Sequence, residues 1–559
     1  MKKPLLSELT LREKIGQTAL GRCDSPGIAD VKKYPYGSLW ANGDLAFGVD
    51  IDKVNPNSTK RDKWLQGLAQ MNSSLKVPMI QAGDCAMTIA AKEYGYVLDA
   101  VSIGATGSEE FAYESGVLRG RMLRHAGTNW LWSPICDLPA RHCTSLHGRT
   151  YTDDPDKLLA MNIATMKGLH DVGVAACAKH FPGEDGMEYR DAHISPTANL
   201  STKEEWFAKQ GKVFQGMIDA GVDTIMTAHQ CFPFFDNAKK DGRYIPATLS
   251  KKILTDLLKG EMGFKGVVIT DDVWMRSVST YCDDDLSKVY VECIKAGNDM
   301  ILGVRDFYFD VIEAAVLSGE IPMERIDDAC QRVLDLKEKI GLFEDDYELT
   351  FGDLDEINAD MADFCQRVAR KGVSLVCDKN NIFPLNPEKH KKICIIYSGH
   401  DKEGQGKAYD HMKYMIAELE KRGAQVFMRR GLKNGYASEA ELEEIDKNYD
   451  LILYPGWCAR WQPRGLGGFF GDEVITFQNA LRYGSEKSIG IGLGSPFAYY
   501  DFYAAFPAYI NIYNFKKEQM EAVVAAMYGE IPFEGGEPFK LLPEFETRRI
   551  ELFGKTEIE

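Results

Sequence analysis

Seven short apolar runs punctuate the first 340 or so residues of this 559-residue chain, and an amphipathic stretch separates most of them. They are YGSLWA (36–41), PMIQAGD (78–84), TNWLWSPICD (128–137), VAACAKH (174–180), VDTIMTAH (222–229), GVVITDD (266–272) and DMILGV (299–304). Each is apolar through its middle, as a strand covered on both faces must be. In SKKILTDLLKGEMG the spacing of Ile253, Leu254, Leu257 and Leu258 predicts one helical face, with Ser250 as cap and Gly263 as stop. Strands alternating with helices imply a parallel α/β architecture. Seven such repeats point to a (β/α)8 TIM-type barrel with one strand unplaced. No Gly-x-Gly-x-x-Gly follows the early runs, which counts against a dinucleotide fold.

Polar residues gather at one end of these runs. Asp84, Asp137, Lys179, His180, His229, Asp271 and Asp272 all fall at carboxyl-terminal ends, the face on which barrel active sites are assembled. A purely structural origin would scatter them over both ends. The densest stretch is KHFPGEDGMEYRDAHISP (179–196), where a Lys-His pair and an Asp-x-His pair share one predicted βα loop. Either pair alone reads equally well as a satisfied polar patch or a turn with an Asx cap. Together they favour chemistry.

After an acidic stretch near 340–360 a second α/β unit is expected. Its strand candidates are GVSLVC (372–377), KICIIYSG (392–399), AQVFMR (424–429), YDLILYPG (449–456), SIGIGLGS (488–495) and PAYINIYN (507–514). The expected organisation is a catalytic barrel over 1–345, a linker over 346–366 and a C-terminal α/β sandwich domain, built on a parallel sheet, over 367–559.

With 45% hydrophobic and 27% charged residues the chain can bury large cores. Its net charge of -17 argues against nucleic acid or an anionic membrane as partner. Thirteen scattered cysteines, odd in number and without metal-type spacing, fit free thiols in a reducing compartment. No apolar stretch reaches membrane-spanning length and no signal-peptide core follows Met1, so a cytoplasmic location is expected.

An aspartate projected from a rigid strand end can act as a nucleophile, a role open to Asp271 and Asp272 alike, and one of the two reads equally as a helix cap. His193 can exchange a proton near neutrality, and Asp191, two residues earlier, can orient its ring. That set points to covalent displacement at carbon. No second histidine stands at ligand spacing from His193, so metal binding fits less well.

The motifs carry a resemblance. KHFPG followed by Asp-x-His, then PATLSKKILTDLLKGEMGFKGVVITDDVWM, resembles the family 3 glycoside hydrolases, and their bacterial β-N-acetylglucosaminidase branch in particular. LTLREKIGQ, IGATGSEEFAYESGVLRGRMLRHAGTNWLWSPICDL, GRTYTDDP, IMTAH and IKAGNDMIL follow in family order, and VARKGVSLVCDKNNIFPL and YGEIPFEG resemble the two-domain members. The likeness implies that Asp271 is the nucleophile, His193 the acid/base and Asp191 its partner. It implies that Asp84, Arg149, Lys179 and His180 bind hydroxyls of the terminal sugar, with no metal or cofactor. The chain departs from the pattern in two places: Glu184 and Asp185 stand where KHFPGHG is usual, and Lys92 where the family commonly has arginine. Lysine does not clamp bidentately, so the sugar pocket is altered.

The expected activity is that of a retaining exo-β-N-acetylhexosaminidase acting on small glycosides, with no nucleic-acid or membrane partner. A β-glucosidase or sugar phosphorylase on the same scaffold, or a sugar-binding protein without turnover, are the alternatives. The sequence says nothing of oligomeric state.

Overall fold

The computed structural model describes residues 2–22, 30–40, 60–84, 94–139, 146–184, 188, 190–345, 347–348, 350–399, 408–430, 439–457, 485–498 and 506–539. By internal contacts the chain forms two compact units. The first comprises 1–96, 109–138 and 155–361; the second comprises 97–108, 139–154 and 362–559. The expected linker region holds part of an 18-residue helix, Leu354–Lys371. Its Ile357, Met361, Phe364, Cys365 and Val368 are buried.

The first unit is built on eight parallel strands: β1 (Ala19–Arg22), β2 (Ser38–Trp40), β3 (Ile80–Asp84), β4 (Trp130–Trp132), β5 (Ala175–Phe181), β6 (Thr224–Thr227), β7 (Val267–Thr270) and β8 (Ile301–Val304). They lie in the order β8-β1-β2-β3-β4-β5-β6-β7, and an Ile269–Met300 bridge closes β7 onto β8. The barrel is therefore as expected. Its unplaced strand is β1, four residues that directly follow the helix Leu11–Gln17 without a Gly or Pro to announce them.

The closing seam borrows side chains. Thr270 Oγ1 accepts the Leu302 N–H at 3.0 Å, and Asp299 Oδ2 accepts the Val268 N–H at 2.9 Å. Elsewhere the run 128–137 ends as a strand at Trp132, because Pro134 has no N–H to give a ladder.

Side chains two apart share a face of a strand, and here the rule places the chemistry. Ile80 and Ala82 on β3, Trp130 and Trp132 on β4, Ala175 and Cys177 on β5, and Val267 and Ile269 on β7 belong to one buried cluster. The small residues of VAACA leave room for the two tryptophans, and Trp130 Nε1–H finds Thr224 Oγ1 at 3.0 Å. Continuing each alternation by one step gives Asp84, Lys179 and Asp271. The charged residues thus form the top layer of the same face that makes the core.

Between β6 and β7 a two-residue hairpin, Lys239–Lys240 against Arg243–Tyr244, turns through Asp241 and Gly242, both at positive φ, as a tight hairpin requires. The helix expected from SKKILTDLLKGEMG forms with Ile253, Leu254, Leu257 and Leu258 buried and Ser250 Oγ accepting the Ile253 N–H. It is wound as a π-helix over Lys252–Glu261 instead of an α-helix, a difference in hydrogen-bond pitch that the apolar spacing does not report.

The second unit holds a six-stranded sheet of β9 (Ser374–Asp378), β10 (Lys392–Gly399), β11 (Gln425–Arg430), β12 (Leu451–Trp457), β13 (Ser488–Gly492) and β14 (Ala508–Asn511) in the order β9-β14-β13-β12-β10-β11. Five strands are parallel. β9 pairs antiparallel with β14, so the sheet is mixed where an all-parallel one was expected. An edge strand has one neighbour and can reverse without disturbing the rest.

Candidate active site

At the carboxyl end of the barrel Lys179 is almost fully buried, 2% exposed, and its Nζ donates to Asp84 Oδ1 at 2.6 Å. One residue on, β5 is irregular: the register with β6 shifts between Lys179 and Phe181. Such a bulge re-aims a side chain. His180, which strict alternation would send outward, turns towards the site and brings Nε2 within 3.9 Å of Asp271 Oδ2. Phe181 instead joins the aromatic packing of Trp206 and Phe214.

Asp137 fixes this geometry. Fully buried, it accepts the His180 Nδ1–H at 2.6 Å and the His180 backbone N–H at 3.0 Å on one oxygen, and the Glu184 backbone N–H at 3.0 Å on the other. The sequence placed Asp137 at a strand end but assigned it no role. A buried aspartate a few residues past a truncated strand gives no signal of which βα loop it will bind.

Asp271 leaves β7 with its N–H bonded to the Thr227 carbonyl and about a quarter of its side chain open. Burial pushes its carboxyl upward, but His180, His229 and Lys179 outweigh that and hold it below the usual carboxylate range. Burial, with the Asp271 charge beside it, raises Asp272 instead. The two neighbours are thus separated: Asp271 is ionised and directed into the barrel mouth, whereas Asp272 Oδ1 accepts the Trp274 N–H and its other oxygen lies 3.7 Å from Arg22. Buried His229 is pushed down and donates Nε2–H to the Asp272 carbonyl.

Asp191 and His193 form the expected pair: His193 Nδ1–H donates to Asp191 Oδ1 at 2.6 Å, and the His193 backbone N–H reaches the same oxygen at 2.8 Å. Two backbone bonds tie this loop to the segment after β7, Arg276 N–H to the His193 carbonyl at 3.1 Å and Ser277 N–H to the Ala192 carbonyl at 3.2 Å. His193 is close enough to act on the charge balance of Asp272 and His229. Glu188 braces the loop from its other end, accepting from Arg190 and from the Ala198 backbone N–H. These contacts were not anticipated.

The structure therefore brings together Asp84, Lys179, His180 and Asp271, and anchors the His193–Asp191 loop to the Asp271 segment. Arg149 belongs to the second unit. Glu184 contributes its backbone to Asp137, and its carbonyl accepts from Gln210 Nε2. Asp185 and Lys92 lie outside the described residues. Among the described residues no group of three or more His, Cys, Asp or Glu side chains is disposed to hold a metal ion. Among the described residues no helix is long and apolar enough to cross a membrane.

A carboxylate beside charged donors, with a carboxylate-oriented imidazole on a loop tied to the same segment, has the groups needed for displacement at carbon and for proton transfer. Comparison with known proteins identifies the family. A Cellulomonas fimi protein named beta-N-acetylglucosaminidase/beta-glucosidase is 26% identical over 512 residues, 89% of each chain. A Stenotrophomonas maltophilia beta-hexosaminidase is 34% identical over 155 residues, 28% of this chain and 44% of its own. Among solved structures, a beta-glucoside phosphorylase superposes with TM-score 0.81 at 23% identity, covering 96% of this chain and 94% of that one. A family 3 beta-N-acetylglucosaminidase from Paenibacillus sp. str. FPU-7 gives 0.75 at 22%, covering 95% and 99%. Residues 10–336 match the family described as "Glycosyl hydrolase family 3 N terminal domain". The chain belongs to glycoside hydrolase family 3.

Proposed function

We propose that the protein is a retaining exo-β-N-acetylhexosaminidase that releases terminal N-acetylglucosamine from small glycosides. The observation that carries this reading is Asp271 with its carboxyl 3.9 Å from His180 Nε2, followed by a segment to which the His193–Asp191 loop is tied. Asp271 attacks the anomeric carbon as His193, through Nε2, gives a proton to the departing oxygen. The bond to the leaving group breaks, a glycosyl-Asp271 ester forms, and His193 is left neutral. It then takes a proton from water, which displaces Asp271 and restores both groups. Asp84, Lys179 and His180 hold sugar hydroxyls. Bonds from charged groups to those hydroxyls strengthen as oxocarbenium character develops.

The Asp-x-His pair and the names of the Cellulomonas and Stenotrophomonas relatives support an N-acetylglucosaminide as substrate. The Cellulomonas name also includes the glucoside. A histidine acid/base favours one further reading, phosphorolysis, because neutral imidazole does not repel phosphate as a carboxylate does. A panel of nitrophenyl β-glycosides, assayed with and without phosphate and with sugar phosphate measured as product, tests these readings. Hydrolysis of the N-acetylglucosaminide supports the proposal. Formation of sugar 1-phosphate replaces it with a phosphorylase, and binding without turnover replaces it with a sugar-binding protein.

A further inference from the structure

The wall of the barrel made by β7 and β8 carries a pair that this scheme leaves unused. Trp274 stands three residues past Asp271 and is 43% exposed, yet its position is fixed. Its backbone N–H donates to Asp272 Oδ1 at 3.1 Å, and its indole Nε1–H donates to the Gly303 carbonyl at 2.7 Å. Gly303 has φ of 88°, and a Cβ there would stand 2.5 Å from Asp272 Oδ1 and 3.0 Å from Trp274 Cδ1. Only glycine lets β8 run this close. Two residues further on, Arg305 lays its guanidinium over the indole, 4.6 Å from the ring centroid.

Arg305 is half-buried, and its backbone N–H bonds the Tyr290 hydroxyl at 3.1 Å. Among the described residues its guanidinium has no carboxylate or carbonyl partner. The nearby Asp272 faces Arg22 instead. A guanidinium presents a planar fork of donors matched to a carboxylate or a phosphate. An indole already held by its own hydrogen bond, on a backbone pinned by a second, loses little further freedom when a ring is laid against it. In barrels generally, the loops after the seventh and eighth strands are a frequent place for an oxyanion. In an eight-strand order β8 stands opposite β4, so this wall faces away from the Asp84–Lys179 side assigned to the terminal sugar.

We propose that Trp274 and Arg305 form the leaving-group side of the site. Trp274 packs against the ring of the leaving group, and Arg305 binds an oxyanion, either a carboxylate carried by the leaving group or a phosphate taking the place of water. The proposal rests on the glycosidase reading, and its test includes a measurement that does not need turnover.

The full-length protein is assayed on a 4-nitrophenyl glycoside and on its 3-carboxy-4-nitrophenyl counterpart, with and without inorganic phosphate. Arg305→Gln lowers the ratio of kcat/KM for the carboxylated over the neutral glycoside about tenfold, as loss of a charge-assisted pair should. Arg305→Lys, a point charge without the fork, restores part of it. If phosphate is the oxyanion, Arg305→Gln instead diverts product from sugar 1-phosphate to free sugar and leaves the ratio where it was. Trp274→Ala raises KM for both glycosides. Independently of turnover, calorimetry with 3-carboxy-4-nitrophenol, 4-nitrophenol and inorganic phosphate detects preference for an anion in the parent protein and its loss in Arg305→Gln. The proposal is overturned if Arg305→Gln moves neither the ratio nor the product partition and the parent binds no anion more tightly than the neutral phenol. A protein that binds the anion but cleaves no N-acetylglucosaminide would keep the subsite and lose the proposed activity.

Discussion

Asp271 and Asp272 are adjacent in sequence, yet their surroundings push their acidities in opposite directions. Neighbouring carboxyls with separated acidities take separate roles. Asp271→Asn should abolish all but a trace of turnover, a loss of several orders of magnitude, in a protein whose melting temperature is little changed. A folded variant with near-parental rate would move the nucleophile to Asp272. Because His180 leads the charges that hold Asp271 down, the acid limb of kcat/KM belonging to Asp271 lies below about pH 4, the ordinary aspartate value. If Asp271 is the nucleophile its ionised form is the active one, so removing a neighbouring cation raises its pKa and shifts that limb to higher pH. His180→Gln should do so; an unmoved limb would mean that His180 only touches sugar. Asp137→Asn puts an NH2 group where two buried N–H donors now find an acceptor, or where Glu184 does. It should lower kcat about a hundredfold through misplacement of His180, the order expected for small shifts in a reacting constellation. Comparison of kcat with the melting temperature separates this from simple unfolding. The charged set was legible because alternation along apolar runs points at strand ends. Asp137 was not, because its function lies in which backbone it binds.

At the scale of elements, the His193–Asp191 loop is held at both ends, by Glu188 on one side and by Arg276 and Ser277 backbone N–H groups on the other. If His193 supplies the proton, His193→Ala should slow glycosides with poor leaving groups far more than nitrophenyl ones, whose phenolates need little help to depart. Glu188→Ala should reproduce that bias in milder form, since the dyad remains but its loop loses a brace. Equal losses on both classes would make His193 a sugar-positioning residue. The sequence located the dyad and both sheets from composition and spacing. It overextended β4, because a proline after an apolar run ends pairing without ending hydrophobicity. It left β1 unplaced, since four residues behind a helix carry too little periodicity to register. The His180 bulge was invisible for a different reason: register is a property of two strands together.

At the scale of the whole molecule, activity is decided by the sugar the site accepts. A site that hydrogen-bonds a substrate group rejects analogues lacking it, since its donors are then left unpaired. The N-acetyl-β-glucosaminide should therefore be cleaved at least about a hundredfold more efficiently than the plain β-glucoside, roughly 2.7 kcal/mol in transition-state binding. Comparable kcat/KM values would reject the N-acetyl reading while leaving Asp271 in place. Barrel and second sheet were both legible as alternating strands and helices. The antiparallel β9 was not, because its direction depends on a partner 130 or more positions later in the chain.

The way the barrel shuts on itself has a genetic consequence. Between most of its strands the cylinder is laced by peptide groups, which every residue but proline supplies, so one codon change rarely undoes a stitch. Between β7 and β8 two stitches are instead a threonine hydroxyl and an aspartate carboxylate. A single codon can remove either. Asp271 stands on one lip of that join and Trp274 leans on the other through Gly303. Thr270→Val would loosen the lip that carries Asp271 without altering any of the charged residues at the barrel mouth, so this fault line is where mutation can retune that mouth while the remaining strands keep its shape.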